Sequence, residues 1–331
     1  MDAHSPATPL VTVVVPALDE EQAIGGCLAS VLAQSEHRLE VLVVDGGSRD
    51  RTRQAVTGMA ATDPRVRLLH NPARGIPQAL NVGLAAARAP WLVRVDAHST
   101  VPPDYVARAL GHLQTGRWGG VGGRKDAVAG TATGRAIAAA LGSRLGVGGS
   151  TYHHGTTAQV VDHVPFGAYP TELLRSLGGW DEAIPANEDF ELDHRVRLSG
   201  RELLFDPDLR IAWHCRESVG DLFAQYRRYG RGKAAVARKH PGSLRPRHLV
   251  PPVLVGYLGV AALSALRRPV ALLAVLPYAG VLALGATVTG RGLTGSGRAR
   301  LTAALLAMHT GWGLGVWEGL AAQFHDREAR P

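Results

Sequence analysis

The stretch Leu92-Val93-Arg94-Val95-Asp96-Ala97-His98 decides how this 331-residue chain is read. Its apolar residues alternate, which marks a buried strand. It ends in an acid and an imidazole, and Ser99-Thr100-Val101-Pro102-Pro103 breaks it just beyond. In an extended segment Asp96 and His98 point to the same side. A carboxylate and an imidazole at a strand end can hold a divalent cation, and through it a diphosphate. The plain alternative is an Asp-containing turn followed by a surface histidine.

The flanking sequence repeats one pattern. Residues 10–15 are a near-continuous β-branched run closed by Pro16, which reads as a parallel strand buried on both faces. Ala17-Leu18-Asp19-Glu20-Glu21 follows and opens a helix expected over 21–34, with acids in the first turn that complement the helix dipole. A second buried strand covers 39–44 and closes in Asp45-Gly46-Gly47-Ser48-Arg49-Asp50. A helix over 51–61, a strand over 66–69, a helix over 76–88 and a strand over 91–95 come next. This alternation predicts an α/β fold with a mostly parallel central sheet. Ligands of such sheets sit outside the carboxyl ends of the strands. Those ends, 16–20, 45–48 and 96–98, each carry a carboxylate. The first strand has no Gly-x-Gly-x-x-Gly after it, and no Gly-x-x-x-x-Gly-Lys-Ser/Thr occurs. Phosphate binding is therefore expected to rest on a metal and basic side chains. Asp45 is suited to accept hydrogen bonds from a base or ribose; as a turn carboxylate it would instead bond the Gly47 and Ser48 amides.

Val13-Val14-Val15-Pro16-Ala17-Leu18-Asp19-Glu20, Val43-Val44-Asp45-Gly46-Gly47-Ser48-Arg49-Asp50, Asn71-Pro72-Ala73-Arg74-Gly75 and Asp96-Ala97-His98 together resemble the inverting family 2 glycosyltransferases. The likeness is to the branch with the succinoglycan-type exopolysaccharide glucosyltransferases, over about residues 10–235. It implies a GT-A nucleotide-sugar-binding fold, with Pro16, Ala17, Glu20, Asp45, Arg74 and Asp96 at the donor. Asp45 would contact the uracil or ribose, and Asp96 the ribose-diphosphate. His98 takes the metal-ligand position for Mg²⁺ or Mn²⁺, where the family more commonly has Asp-x-Asp. Short strands are expected over 202–207 and 209–213. The resemblance makes His214, just after them, a candidate third ligand.

The middle of the chain is glycine-rich: a strand over 118–125, a helix-compatible small-residue segment over 127–145 and a flexible loop over 146–154. Residues 164–169 resemble the strand that backs the family's acceptor site. In Asn187-Glu188-Asp189-Phe190, Asn187 can cap a helix that starts at Glu188, which accounts for the acids without chemistry. Inverting glycosyl transfer needs a carboxylate to take the acceptor hydroxyl's proton. The Glu188-Asp189 pair resembles the family's catalytic pair, with Asp189 as the base and Glu188 in support. Trp180 and Asp181 resemble acceptor-pocket residues, with ordinary packing the alternative for Trp180. A helix is expected over 221–233. Its Gln225-Tyr226-Arg227-Arg228-Tyr229 is similar to the Gln-x-x-Arg-Trp motif of processive members such as cellulose synthase. That implies Gln225 and Tyr229 at the acceptor sugar and Arg228 on the diphosphate. Alternatively, this is a basic amphipathic helix on lipid headgroups.

Two cysteines, Cys27 and Cys215, argue against a disulfide scaffold. The formal net charge is +8, and 227–248 holds eight Lys/Arg with no acid. Segments 249–266, 269–290 and 301–317 carry no charge apart from His309, against the roughly 20 apolar residues that a hydrocarbon core requires. A basic run before apolar segments points to a membrane surface rather than nucleic acid. A buried helical hairpin in a soluble domain is the alternative. His309 suggests helix contacts or an acceptor lipid's phosphate. Residues 1–9 show no signal-peptide pattern. The expected layout is a catalytic domain over 1–235, a linker over 236–248, membrane helices over 249–323 and a polar tail over 324–331. The protein is then multi-pass in the cell membrane, with its catalytic domain cytoplasmic. The expected activity moves a sugar, glucose by resemblance, from a UDP-sugar to a polyprenyl-linked or exopolysaccharide acceptor. Transfer to polyprenyl phosphate itself, or a non-catalytic nucleotide-binding membrane scaffold, are the alternatives.

Overall fold

The computed structural model describes residues 8–328; residues 1–7 and 329–331, with most of the N-terminal segment and the end of the expected tail, lie outside the described residues. The strands are β1 (Val11–Ala17), β2 (Leu39–Asp45), β3 (Val66–His70), β4 (Trp91–Arg94), β5 (Ser99–Thr100), β6 (Trp118–Val128), β7 (Gln159–Val161), β8 (Ala168–Pro170) and β9 (Glu202–His214). They form one sheet of order β3-β2-β1-β4-β8-β6-β9-β5, with β7 paired to β9. β3, β2, β1 and β4 are parallel neighbours, with Val13 level with both Val41 and Val93. β8 reverses direction against β4, and the sheet continues antiparallel beyond it. The β-branched runs of β1 and β2 are buried because helices cover both faces of a parallel sheet.

Several expected boundaries move for local reasons. The first helix is Ile24–Leu32, not 21–34. Glu20 and Glu21 stay in the preceding loop, where their amides donate to Thr52 Oγ1 at 2.7 Å and Asp50 Oδ2 at 3.0 Å. β4 stops at Arg94, and Asp96 begins a turn in which the Ser99 amide donates to the Asp96 carbonyl at 2.9 Å. Asp96 and His98 therefore do not share one side of an extended strand. β9 is one thirteen-residue strand rather than two. Pro207 falls between the part paired with β7 and the part paired with β5. Residues Thr151–His154 form a short helical turn inside the expected loop.

The chain divides into two compact units, Met1–Asp126 with Gly155–Trp213, and Ala127–His154 with His214–Pro331. The first holds the sheet core. The second gathers residues 127–154 and 214–235 with the C-terminal helices, whereas the sequence suggested placing them in the catalytic domain. Within the second unit, helix Val219–Lys239 is capped by Ser218, whose Oγ accepts the Asp221 amide at 3.1 Å. It lies against the 34-residue helix Gly295–Glu328. Gly311, Gly315 and Gly319 recur at helical spacing on that contact, and a Cβ at Gly315 would collide with the Arg227 carbonyl. Helices Pro246–Ala265 and Pro269–Thr289 are long and apolar enough to cross a membrane. Leu249, Val253, Val260, Leu263, Leu276 and Leu284 are exposed on them rather than buried in a hairpin. The third apolar segment is not a further span of that kind among the described residues. It is the middle of Gly295–Glu328, and it buries Leu301, Ala304, Leu305 and Met308. Pro252 cannot donate to the His248 carbonyl, and the Trp312 indole Nε1 reaches that oxygen at 3.4 Å. His309 is held by Tyr278 and by the Leu145 carbonyl, at 3.0 and 2.8 Å, which makes it a helix contact.

Helix Ile76–Ala86 approaches β1 closely because Gly83 has no side chain: a Cβ there would lie 2.5 Å from Val14 Cγ1. Gly58, on the exposed face of helix Thr52–Thr62, has nothing within 4 Å. Gly83→Ala is expected to destabilise by about 1–3 kcal/mol through overpacking. Gly58→Ala should stabilise by about 0.5–1 kcal/mol through backbone entropy. Thermal melts of the two variants should move in opposite directions.

Candidate active site

The carboxyl ends of β1, β2 and β3 are tied into one edge by their loops. Asp19 Oδ1 accepts the Arg49 amide at 2.7 Å, the Asp19 amide donates to Ser48 Oγ at 2.9 Å, and the Asn71 amide donates to the Asp45 carbonyl at 2.8 Å. Asp45 is buried and accepts from Gly47 and Ser48 at 3.0 and 3.2 Å, with Arg53 Nε at 3.7 Å. It is thus the turn carboxylate of its own loop. Arg74, exposed and in the left-handed region at φ 63°, passes over the Gly46-Gly47 turn. Pro16 and Ala17 close β1 beside it, and the Ala17 carbonyl accepts the Gly46 amide at 2.9 Å.

The next strand end carries the charges. Arg94 is 5% exposed. Its Nε donates to Asp96 Oδ1 at 2.8 Å and its Nη1 to Glu188 Oε1 at 2.9 Å. His98 Nδ1 lies 2.9 Å from Glu20 Oε1. Burial, with the charges of Asp96 and Glu20, pushes the nearby Cys27 thiol up to about 12. Lys125 Nζ lies 3.7 Å from the Trp213 ring centroid and 4.9 Å from that of Phe166.

Helix Glu188–Leu198 begins where expected, but Asn187 stands before it in the left-handed region at φ 62° without a side-chain cap. Glu188 is buried, and burial followed by the Asp189 charge raises it to about 7, against the pull of Arg94. Asp189 is half-buried. Burial pushes it up, but His163, Arg94, the Phe190 amide and Lys125 outweigh this and hold it below the usual carboxylate value. Two adjacent carboxyls thus differ, Glu188 pushed up and Asp189 held down. This is the pattern of acid–base sites.

Trp180 does not line a pocket. It is 2% exposed and packs in the core with Leu84, Leu174 and Leu192, so a sugar ring cannot stack on it. Asp181 accepts the Ala183 amide at 3.0 Å. Gln225, Arg228, Tyr229 and His214 belong to the second unit. Gln225 Nε2 donates to the Tyr229 hydroxyl at 3.1 Å, Arg228 lies over the Tyr229 ring, and Arg227 pairs with Glu318. His214 ends β9 within electrostatic reach of Glu217. Among the described residues no three His, Cys, Asp or Glu side chains form a metal cluster. The carboxylate of Asp96 and the imidazole of His98 still suit Mg²⁺ or Mn²⁺, since such ions are held by one or two protein groups plus substrate phosphates. The sequence reading passed over Arg94, Lys125, His163 and Asp193. Arg94 had a signal, a lone arginine inside an apolar strand. Asp193 had its spacing of four from Asp189.

Residues 12–144 match Glycosyl transferase family 2. The chain is 29% identical to the succinoglycan biosynthesis protein ExoA of Rhizobium meliloti over 311 residues, 93% of this chain and 94% of that protein. Its fold is similar to the mannosyltransferase PcManGT of Pyrobaculum calidifontis, solved with GDP-Man and Mn²⁺, with TM-score 0.61 and 23% identity over 96% of this chain and 90% of that one. It is also similar to S. aureus TarS 1–349 in complex with UDP, with TM-score 0.51 and 17% identity over 95% and 92%. These two likenesses are of fold.

Replacing Arg94 by Met should cost about 3–5 kcal/mol, because buried acids lose their counter-charge. Adding Glu188→Gln should recover part of the loss. A double variant no more stable than Arg94→Met alone would show that uncompensated charge is not the cause.

Proposed function

With residues 12–144 a glycosyl transferase family 2 domain and the chain a glycosyltransferase, we propose that it is a membrane-associated inverting enzyme. It moves glucose from a UDP-sugar to a polyprenyl-linked or growing exopolysaccharide acceptor. The near full-length similarity to a succinoglycan biosynthesis protein supports the exopolysaccharide role. Neighbours solved with GDP-Man and with UDP support a nucleotide-linked donor. UDP and glucose rest on the resemblance to the succinoglycan-type branch. The two exposed apolar helices support membrane association, and the basic run over 227–248 before them supports a catalytic domain on the cytoplasmic side.

The observation that carries the mechanism is Asp189, a half-buried carboxylate held ionised at a helix start. Asp189 takes the proton of the acceptor hydroxyl as that oxygen attacks the anomeric carbon. The bond from that carbon to the diphosphate oxygen breaks, its electron pair leaves with the nucleoside diphosphate, and the configuration inverts. Arg94 orients Asp96 toward the donor and Glu188 beside the base. Mg²⁺ or Mn²⁺ at Asp96 and His98 would supply the positive charge that the departing diphosphate needs. Lys125 adds a fixed cation in the same unit.

Asp189→Asn is expected to lower sugar transfer about 10²–10⁴-fold while nucleotide-sugar binding stays within about twofold. Turnover near wild type in that variant would end Asp189's assignment as the base. EDTA is expected to abolish transfer and Mn²⁺ to restore it, and His98→Ala should raise the Mn²⁺ requirement about tenfold or more. Full activity in EDTA would remove the metal from the scheme.

A further inference from the structure

His163 stands between β7 and β8, 9% exposed, and no part of the mechanism above uses it. Its Nδ1 lies 2.7 Å from Asp193 Oδ2, and its Nε2 3.8 Å from Asp189 Oδ2. Asp193 is fully buried; it also accepts the Val164 amide and the Tyr169 hydroxyl, each at 2.8 Å. Asp189 and Asp193 are four residues apart on helix Glu188–Leu198 and so share one face. Two carboxylates on one buried face repel. Here an imidazole ring is set between them, with one nitrogen toward each.

That arrangement selects a protonation state. A neutral imidazole has one N–H and one lone pair, so one carboxylate would face a lone pair. Only the imidazolium presents an N–H to both. Resting on the reading of Asp189 as the base, we propose that His163 is a positioning residue for Asp189: a buried imidazolium anchored by Asp193 that aims the base and keeps it ionised. The groups facing His163 are Asp189, Asp193 and Asp162. Those facing Asp189 are His163, Arg94, Lys125, Glu188 and Tyr169. Burial alone would lower His163, but its three acidic neighbours raise it above the ordinary histidine value. Burial pushes Asp193 above the ordinary carboxylate value as well, against the pull of His163, the Val164 amide and the Tyr169 hydroxyl, and it pushes Glu188 up to about 7. The device acts on the base rather than on the substrate.

The sign of the effect follows. A cation facing a carboxylate favours its charged form, so His163 lowers the pH at which Asp189 becomes active. Removing an opposite charge at this range raises a carboxyl by about 1 unit or more. The test is the pH profile of kcat/KM for sugar transfer, measured on the detergent-purified full chain for wild type, His163→Gln, His163→Lys and Asp189→Asn. In His163→Gln the acid limb is expected to move up by about 1 unit, with kcat reduced and donor KM little changed. In His163→Lys, which restores a cation, the limb should return toward wild type. An unmoved limb in His163→Gln, with Asp189→Asn inactive, overturns the proposal and leaves Asp189 as the base. An active Asp189→Asn overturns the base reading itself, and this proposal falls with it. Because His163→Gln can fail to fold, ¹⁵N resonances of the wild-type imidazole give a second measurement. Both nitrogens protonated, with a midpoint above that of free histidine, is the expected result; a neutral ring at neutral pH overturns the proposal.

Discussion

An arginine enclosed in a protein interior has to be met by carboxylates, because an unpaired buried charge costs far more than a domain can absorb. Arg94 meets two, Asp96 in the turn beyond its own strand and Glu188 at the start of a distant helix. One side chain thereby fixes the distance between the strand end proposed for the donor and the helix start proposed for the base. The surrounding charges follow from it. Arg94 and Lys125 help keep Asp189 ionised, while Glu188, adjacent in sequence but wholly buried, is driven the other way. The sheet supplies the frame for this cluster: β4 is the last strand of the parallel half, so Arg94 stands where the sheet changes direction.

The second unit follows different constraints. Helix Gly295–Glu328 lacks side chains at Gly311, Gly315 and Gly319, where the backbone of Val219–Lys239 comes close, and Glu318 joins Arg227 and Arg231 across that contact. Small residues that let backbones approach are a common basis for helix association where there is little hydrophobic gain. The pairing also occupies Arg227. Of the two adjacent arginines in the Gln225–Tyr229 stretch, Arg228 is the one not held by Glu318.

The parallel half of the sheet was legible because β1 and β2 are continuous β-branched runs, and such runs have one stable use. The strand ends were legible as carboxylate-bearing loops, though not in their detail. The strand reading of Asp96 and His98 failed because alternation says nothing about where a strand stops, and here it stops at Arg94. Trp180 looked like a sugar platform because local sequence cannot show what lies opposite. Gly178 and Gly179, at φ 78° and 71°, turn the chain so that the indole enters the core. His163 was invisible for the same reason, since its partners lie 26 and 30 residues further along the chain. The exposed apolar helices were readable from hydropathy alone, whereas hydropathy could not show that the third segment lies in the middle of a 34-residue helix and buries Leu301, Ala304, Leu305 and Met308.

The central claim is a single displacement with Asp189 as the base, and the anomeric configuration of the product tests it most directly. Incubating the enzyme with an α-linked nucleotide sugar and acceptor, then reading the anomeric proton coupling of the new glycoside by NMR, should give the β-glycoside. An α-glycoside would mean that configuration is retained, and a mechanism with one base and one displacement could not stand.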